Sequence, residues 1–163
     1  MAKLNIVKDT DPILHKKSRP VDQITPKILT LLDDMIETMR DANGCGLAAV
    51  QVGILRRIVV IEVEPGVVYE LINPEIISRE GEQQEIEGCL SVPGKNGITS
   101  RPMTVVVRAT DRNGNLFELK GSELLARCIC HETDHLDGIL YTDIAIKMLT
   151  QEELEELYGG DED

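Results

Sequence analysis

The run His131-Glu132-Thr133-Asp134-His135 restricts the possible folds of this chain more than any other feature. On an α-helix, residues four apart lie roughly 6 Å from each other on one face, so a helix lets both imidazoles meet one metal ion. Glu132 then overhangs the same point without binding it, where a carboxylate can take a proton from water. Leu124, Leu125, Ile129 and Leu136 flank the motif, so the helix is expected to be packed rather than free. Two of the chain's three histidines stand in this run, which favours a catalytic metal site over a chance match on a solvated helix. Glu132 also argues against a purely structural clamp, which has no use for a base.

A catalytic site needs three protein ligands and one open position. Cys128 shares the histidine face, but residues seven apart on a helix are separated by about 10 Å along the axis, too far for Cys128 and His135 to close one compact tetrahedron. Cys128 is therefore read as a small apolar wall beside the metal, and Cys130, one position before His131, as core. The third ligand must come from another segment. Cys45 and Cys89 both sit beside glycine, which permits close backbone approach, and spacing alone leaves the two open.

The rest of the chain supplies both helices and strands. Thr25 suits an N-cap with Pro26 at the first helical position, and Ile28, Leu31, Leu32, Met35, Ile36 and Met39 follow at helical spacing until Asn43-Gly44. Runs rich in valine and isoleucine predict strands over 57–63, 69–72 and 103–110. Asp111-Arg112-Asn113-Gly114 reads as a hairpin turn leading into a strand over 116–119. The helix carrying the histidines is expected to start with Ser122 as N-cap and run to about 137, with Gly138 closing it in a left-handed conformation. A short helix is expected over 150–157, and the glycine- and proline-containing stretch 91–102 reads as a loop.

Length predicts one domain over 1–163, burying roughly two-thirds of the surface its unfolded chain exposes. The net charge of −12 repels nucleic-acid phosphates, and with no Trp and a single Phe there is almost nothing on which to stack bases, so no direct nucleic-acid binding is expected. Seven of the acids fall beyond Lys147, in a solvated tail starting at about 150. No export signal or stretch long enough to cross a bilayer is evident. A soluble cytoplasmic protein with unpaired cysteines is the expectation.

Three segments then carry a resemblance. Gly44-Cys45-Gly46-Leu47-Ala48-Ala49-Val50-Gln51, Glu87-Gly88-Cys89-Leu90-Ser91 and His131-Glu132-Thr133-Asp134-His135 resemble, in order, the signature motifs of the peptide deformylase family. The similarity runs from Asp11-Pro12-Ile13-Leu14 to Gly138 and includes Val92-Pro93-Gly94 and Arg101-Pro102. With the elements read above, it implies an α+β fold of mixed, mainly antiparallel sheets packed around the central motif helix. It implies Cys89 as third ligand with His131 and His135, and Glu132 as the base. The Gln51 side chain and Leu90 N–H are implied as oxyanion donors, with the Gly46 backbone touching the formyl group or attacking water. Cys45, Leu124 and Cys128 are expected to line the substrate pocket. Fe(II) is the implied ion in the cell, with Zn(II), Ni(II) or Co(II) able to occupy purified protein. The implied reaction is removal of formyl from N-formylmethionyl peptides, on nascent chains at the ribosome, with no membrane partner. Two positions depart from the common pattern: Cys130 stands where many members carry glutamine, and Cys45 where an aliphatic residue is usual. The main rival reading is a general zinc peptidase of the His-Glu-x-x-His type.

Overall fold

The computed structural model describes residues 2–158. Asp161, Glu162 and Asp163 of the expected acidic tail lie outside the described residues. Helix α1 spans Pro26–Asp41, with the Thr25 side chain accepting from the Ile28 N–H as the N-cap reading requires. Strands β1 (Gly46–Ala48), β2 (Ile58–Glu64), β3 (Val67–Glu80), β6 (Thr104–Thr110) and β7 (Leu116–Ser122) form a five-stranded sheet in the order β1-β2-β3-β6-β7. Strands β4 (Gln83–Cys89), β5 (Val92–Arg101) and β8 (Lys147–Leu149) form a second sheet in the order β4-β5-β8. Every ladder in both sheets is antiparallel, so the fold is α+β as expected. Among the described residues, no helix is long and apolar enough to cross a membrane.

Strand β2 explains how the two helices are placed. Ile58, Val59, Val60 and Ile61 are all fully buried, and successive side chains of a strand point to opposite faces. Val59 and Ile61 join the cluster that contains Ala126, Ile129 and Leu136 of the motif helix α2 (Leu124–Leu136). Ile58 and Val60 join the cluster with Leu32, Met35 and Met39 of α1. A strand buried on both faces reads as a continuous apolar run, which is what the sequence presents there.

Three expectations are corrected. The stretch 91–102 is no loop: β5 pairs with β4 from Gln83↔Arg101 to Cys89↔Val92. Its glycine at 97 serves packing rather than turning, since a Cβ there would lie 2.8 Å from the Met148 sulfur and 3.2 Å from Tyr141. Pro93 and Gly94 stand just beyond the tight β4–β5 connection, where Gly94 has φ +77°. Second, Ser122 does not cap α2; it is still paired with Thr104 in β7, and Glu123, at φ 54° and without a side-chain cap bond, makes the turn into the helix. Third, the strand expected over 69–72 runs on to Glu80, its pairing with β6 shifting between Ile72 and Glu75 where Pro74 removes an N–H.

Gly138 ends the motif helix at φ +78°, as its position implied. A Cβ there would fall 2.5 Å from the His15 carbonyl oxygen, so the glycine also lets the N-terminal region pass close by. Further along, α3 (Tyr141–Ile144) and α4 (Gln151–Tyr158) follow, the second matching the expected short helix. The N-terminal segment is laid across the molecule: Val7 N–H donates to Gln51 O at 2.7 Å and Asp9 N–H to Ser91 O at 2.8 Å. Those two bonds pin the segments carrying Gln51 and Ser91 against each other.

Candidate metal centre and active site

Helix α2 presents its motif between the two sheets. His131 and His135, one turn apart, have ring centroids 5.0 Å from each other, and His135 is fully buried. Cys89, at the end of β4, places its sulfur 3.4 Å from His135 Nε2. Donor atoms of Cys89, His131 and His135 all lie within 4.8 Å of one another. Of the two cysteines that spacing left open, the structure brings Cys89 to the two histidines, and Cys45 is not part of that cluster.

The chemistry of these donors suits a divalent ion. His131 Nδ1 is bonded to Glu87 Oε1 at 2.9 Å, which fixes the ring and leaves Nε2 for another partner. Burial favours neutral His131, but the charge of Glu132 and hydrogen bonds to Cys89 and Glu87 outweigh it and hold the ring's pKa well above its ordinary value. Burial, reinforced by His131, keeps His135 neutral, the form that binds metal.

Glu87 anchors this arrangement. Burial would raise its pKa, yet hydrogen bonds from His131 and Arg101 hold it well below the usual carboxylate range. Arg101 of β5 grips it in bidentate fashion, Nε to Oε2 at 2.9 Å and Nη2 to Oε1 at 3.0 Å, and Thr99 donates to it as well. The same guanidinium reaches Asp134 Oδ2 at 2.6 Å, so β4, β5 and α2 meet in one buried network. The bond between Glu87 and His131 is one that the sequence reading missed. Its signal was the spacing: Glu87 lies two residues before Cys89 on a strand, hence on the same side.

Glu132 lies against Gly46 of β1. A Cβ at that glycine would sit 2.6 Å from Glu132 Oε2 and 2.8 Å from its Cγ, so the carboxylate occupies the space a side chain would need. Burial raises the Glu132 pKa to about 8, and its Oε1 has no hydrogen-bond partner among the described residues. Gln51, in a 3₁₀ turn after β1, accepts from the Ala48 N–H through Oε1 at 2.9 Å. Its Nε2 donates to Ser91 Oγ at 3.1 Å and lies 3.6 Å from the Cys89 sulfur.

A cavity of about 410 Å³ opens onto these groups. Gly46, Gln51, Cys89, Leu90, His131 and Glu132 line it, and so do Cys45, Leu124 and Cys128. His135 is the one expected site residue outside the lining, because it is sealed beneath Cys89 and His131. Arg127, not singled out from the sequence, also lines the cavity. The sulfurs of Cys45 and Cys128 are 2.9 Å apart on its wall, and that contact draws the Cys45 thiol below its ordinary pKa. A larger groove of about 1000 Å³ lies beside α1, but no histidine or cysteine lines it.

Comparison with known proteins points to one family. The family model described as polypeptide deformylase matches residues 3–151. The peptide deformylase of Alkaliphilus metalliredigens is 60% identical over 139 residues, covering 85% of this chain and 94% of that protein. That of Acetivibrio thermocellus is 56% identical over 155 residues, covering 95% and 91%. Among solved structures, the peptide deformylase of Ehrlichia chaffeensis in complex with actinonin superposes with a TM-score of 0.87 at 36% identity, each chain covered in full. That of Legionella pneumophila gives 0.85 at 38% identity, with 95% of each chain covered. With its motif helix, its Cys-His-His cluster and matches of this extent, the chain belongs to the peptide deformylase family.

Proposed function

We propose that this chain removes the formyl group from N-formylmethionyl termini of newly made polypeptides, releasing formate and a free amino terminus. The observation that carries this reading is Glu132: a buried carboxylate with an unpartnered oxygen, raised to about 8, beside the Cys89, His131 and His135 donors in an open cavity. Cys89, His131 and His135 would hold a divalent ion, which would supply Lewis acidity for activating water near neutral pH and for polarising the formyl group. The Cys89 thiolate softens the donor set, and Fe(II) is the ion proposed for the cell, with Zn(II), Ni(II) or Co(II) as replacements in purified protein.

Glu132 takes a proton from the attacking water as the water oxygen bonds to the formyl carbon. It then delivers that proton to the methionyl nitrogen as the carbon–nitrogen bond breaks. Developing negative charge on the formyl oxygen is met by the Gln51 amide and the Leu90 N–H. For this the Gln51 Nε2 turns one hydrogen from Ser91 or Cys89 toward the substrate, while the Ala48 bond holds its other end. Gly46 offers its backbone to the formyl group, and Cys45, Leu124 and Cys128 receive the methionine side chain. The described residues act as one catalytic domain, meeting nascent chains at the ribosome in the cytoplasm; the acidic tail takes no part in the chemistry.

Formate release from a short N-formylmethionyl peptide tests the reading. Native metal-loaded protein should release formate, and Cys89→Ala should not. Absence of formate release by the metal-loaded native chain would overturn the function, and full activity in Cys89→Ala would overturn the ligand. Metal analysis of protein purified without oxygen identifies the resident ion.

A further inference from the structure

Two of the four cysteines stand on the wall of the cavity and belong neither to the donor cluster nor to the proton-transfer path. Cys45 precedes β1 and is exposed, whereas Cys128 lies within α2 and is 5% exposed. Their sulfurs are already 2.9 Å apart, and a disulfide requires closure to about 2.05 Å. Cys130 is buried, and Cys89 faces His135 and the Gln51 amide, so neither presents a comparable thiol pair.

We infer that Cys45 and Cys128 form a reversible oxidation site, closing a disulfide across the substrate wall when a peroxide reaches the cavity. The asymmetry of exposure sets the order. Cys45, open to solvent, attacks one oxygen of hydrogen peroxide, giving a sulfenic acid and one water. The Cys128 thiol then attacks the sulfenic sulfur, forming the disulfide and releasing the second water. Two thiols and one peroxide thus give one disulfide and two waters, with two electrons passing to the peroxide.

The consequence for activity rests on the deformylase reading of this cavity. Cys45 sits between two glycines that are already tightly covered. A Cβ at Gly44 would be 2.7 Å from Leu90 Cδ1, and Gly46 lies under Glu132. Drawing the Cys45 sulfur toward α2 shifts this short segment against Leu90 and Glu132, and the bond bridges the wall that receives the substrate side chain. The Glu62 N–H, which donates to Cys45 O at 2.9 Å, holds the backbone on its other side and limits relief of that shift.

The test uses zinc-loaded protein, so that iron oxidation plays no part. A small excess of hydrogen peroxide is followed by alkylation and peptide mass spectrometry, and formate release is read before and after dithiothreitol. The expected result is a linked Cys45–Cys128 peptide and a fall of roughly tenfold or more in turnover that dithiothreitol reverses. Cys45→Ser should form no such linkage and, relative to its own reduced form, lose no turnover at the same dose. Cys128→Ser should instead accumulate a sulfenic acid at Cys45 that dimedone traps. Both thiols remaining free, or a linkage through Cys89 or Cys130, overturns the site. Linkage with unchanged turnover overturns its effect on catalysis, and because linkage is read by mass, failure of the deformylase reading leaves the site itself testable.

Discussion

Glu132 and Gly46 form a pair in which one residue's lack of a side chain makes room for the other's carboxylate. Glu132→Ala removes the group proposed to carry the proton, so turnover should fall by about a thousandfold or more while the metal stays bound, as formate release and metal analysis on one sample would reveal. Gly46→Ala should lose roughly a hundredfold by pushing Glu132 aside, with near-native thermal stability expected if the carboxylate moves into the open cavity. The buried carboxyl has a further signature in metal-free protein. Its folded pKa of about 8 lies above the ordinary value of 4.5, so this group's contribution to stability is full below 4.5 and is lost as pH rises through 8. Chelated native protein should therefore lose more stability than chelated Glu132→Gln between about pH 5 and about pH 9 in urea titrations, by on the order of a few kcal/mol. Equal slopes would show that Glu132 is not held in the shielded position described.

Among the elements, α1 was legible because an apolar stripe of helical period and the Thr25 cap agree, and α2 because of its stripe and Gly138, although its start was not. Strands β4 and β5 were not. Gln83, Gln84 and Glu85 open β4, and Pro93, Gly94 and Gly97 interrupt β5, so neither presents an alternation of apolar residues. Their pairing is dictated by partners distant in sequence, including the Arg101–Glu87 grip, which no local pattern can announce. For the same reason spacing left Cys45 and Cys89 open as ligands: what separates them is which sheet end faces the histidines. The Glu87 link between β4 and α2 is directly testable. Glu87→Gln leaves the buried Arg101 with Asp134 but without the carboxylate it grips in bidentate fashion, and weakens the hold on His131, so metal affinity should drop by about 10- to 100-fold in competition with a chelator. At the other end of α2, Gly138→Ala meets both a left-handed backbone and the His15 carbonyl, and should cost about 2 kcal/mol or more in denaturant unfolding.

Across the whole molecule the candidate metal centre is a junction between layers. Cys89 belongs to the three-stranded sheet and both histidines to the helix that packs on the five-stranded one. Chelation should accordingly lower the melting temperature and speed hydrogen exchange in β4, β5 and β8 more than in β2, β3 and β6, a contrast that mass spectrometry resolves. Uniform acceleration would mean that the ion does not bridge the sheets. The same layering bears on the order in which the protein is made. Val59, Ile61, Val105 and Val107 all rest against a cluster that α2 completes, yet α2 is among the later segments in the sequence. While synthesis proceeds, the strands must wait with an apolar face uncovered until Leu136 has emerged. A chain stalled before that point exposes its future interior to neighbouring chains, and truncations that omit α2 should aggregate rather than persist as partly folded monomers.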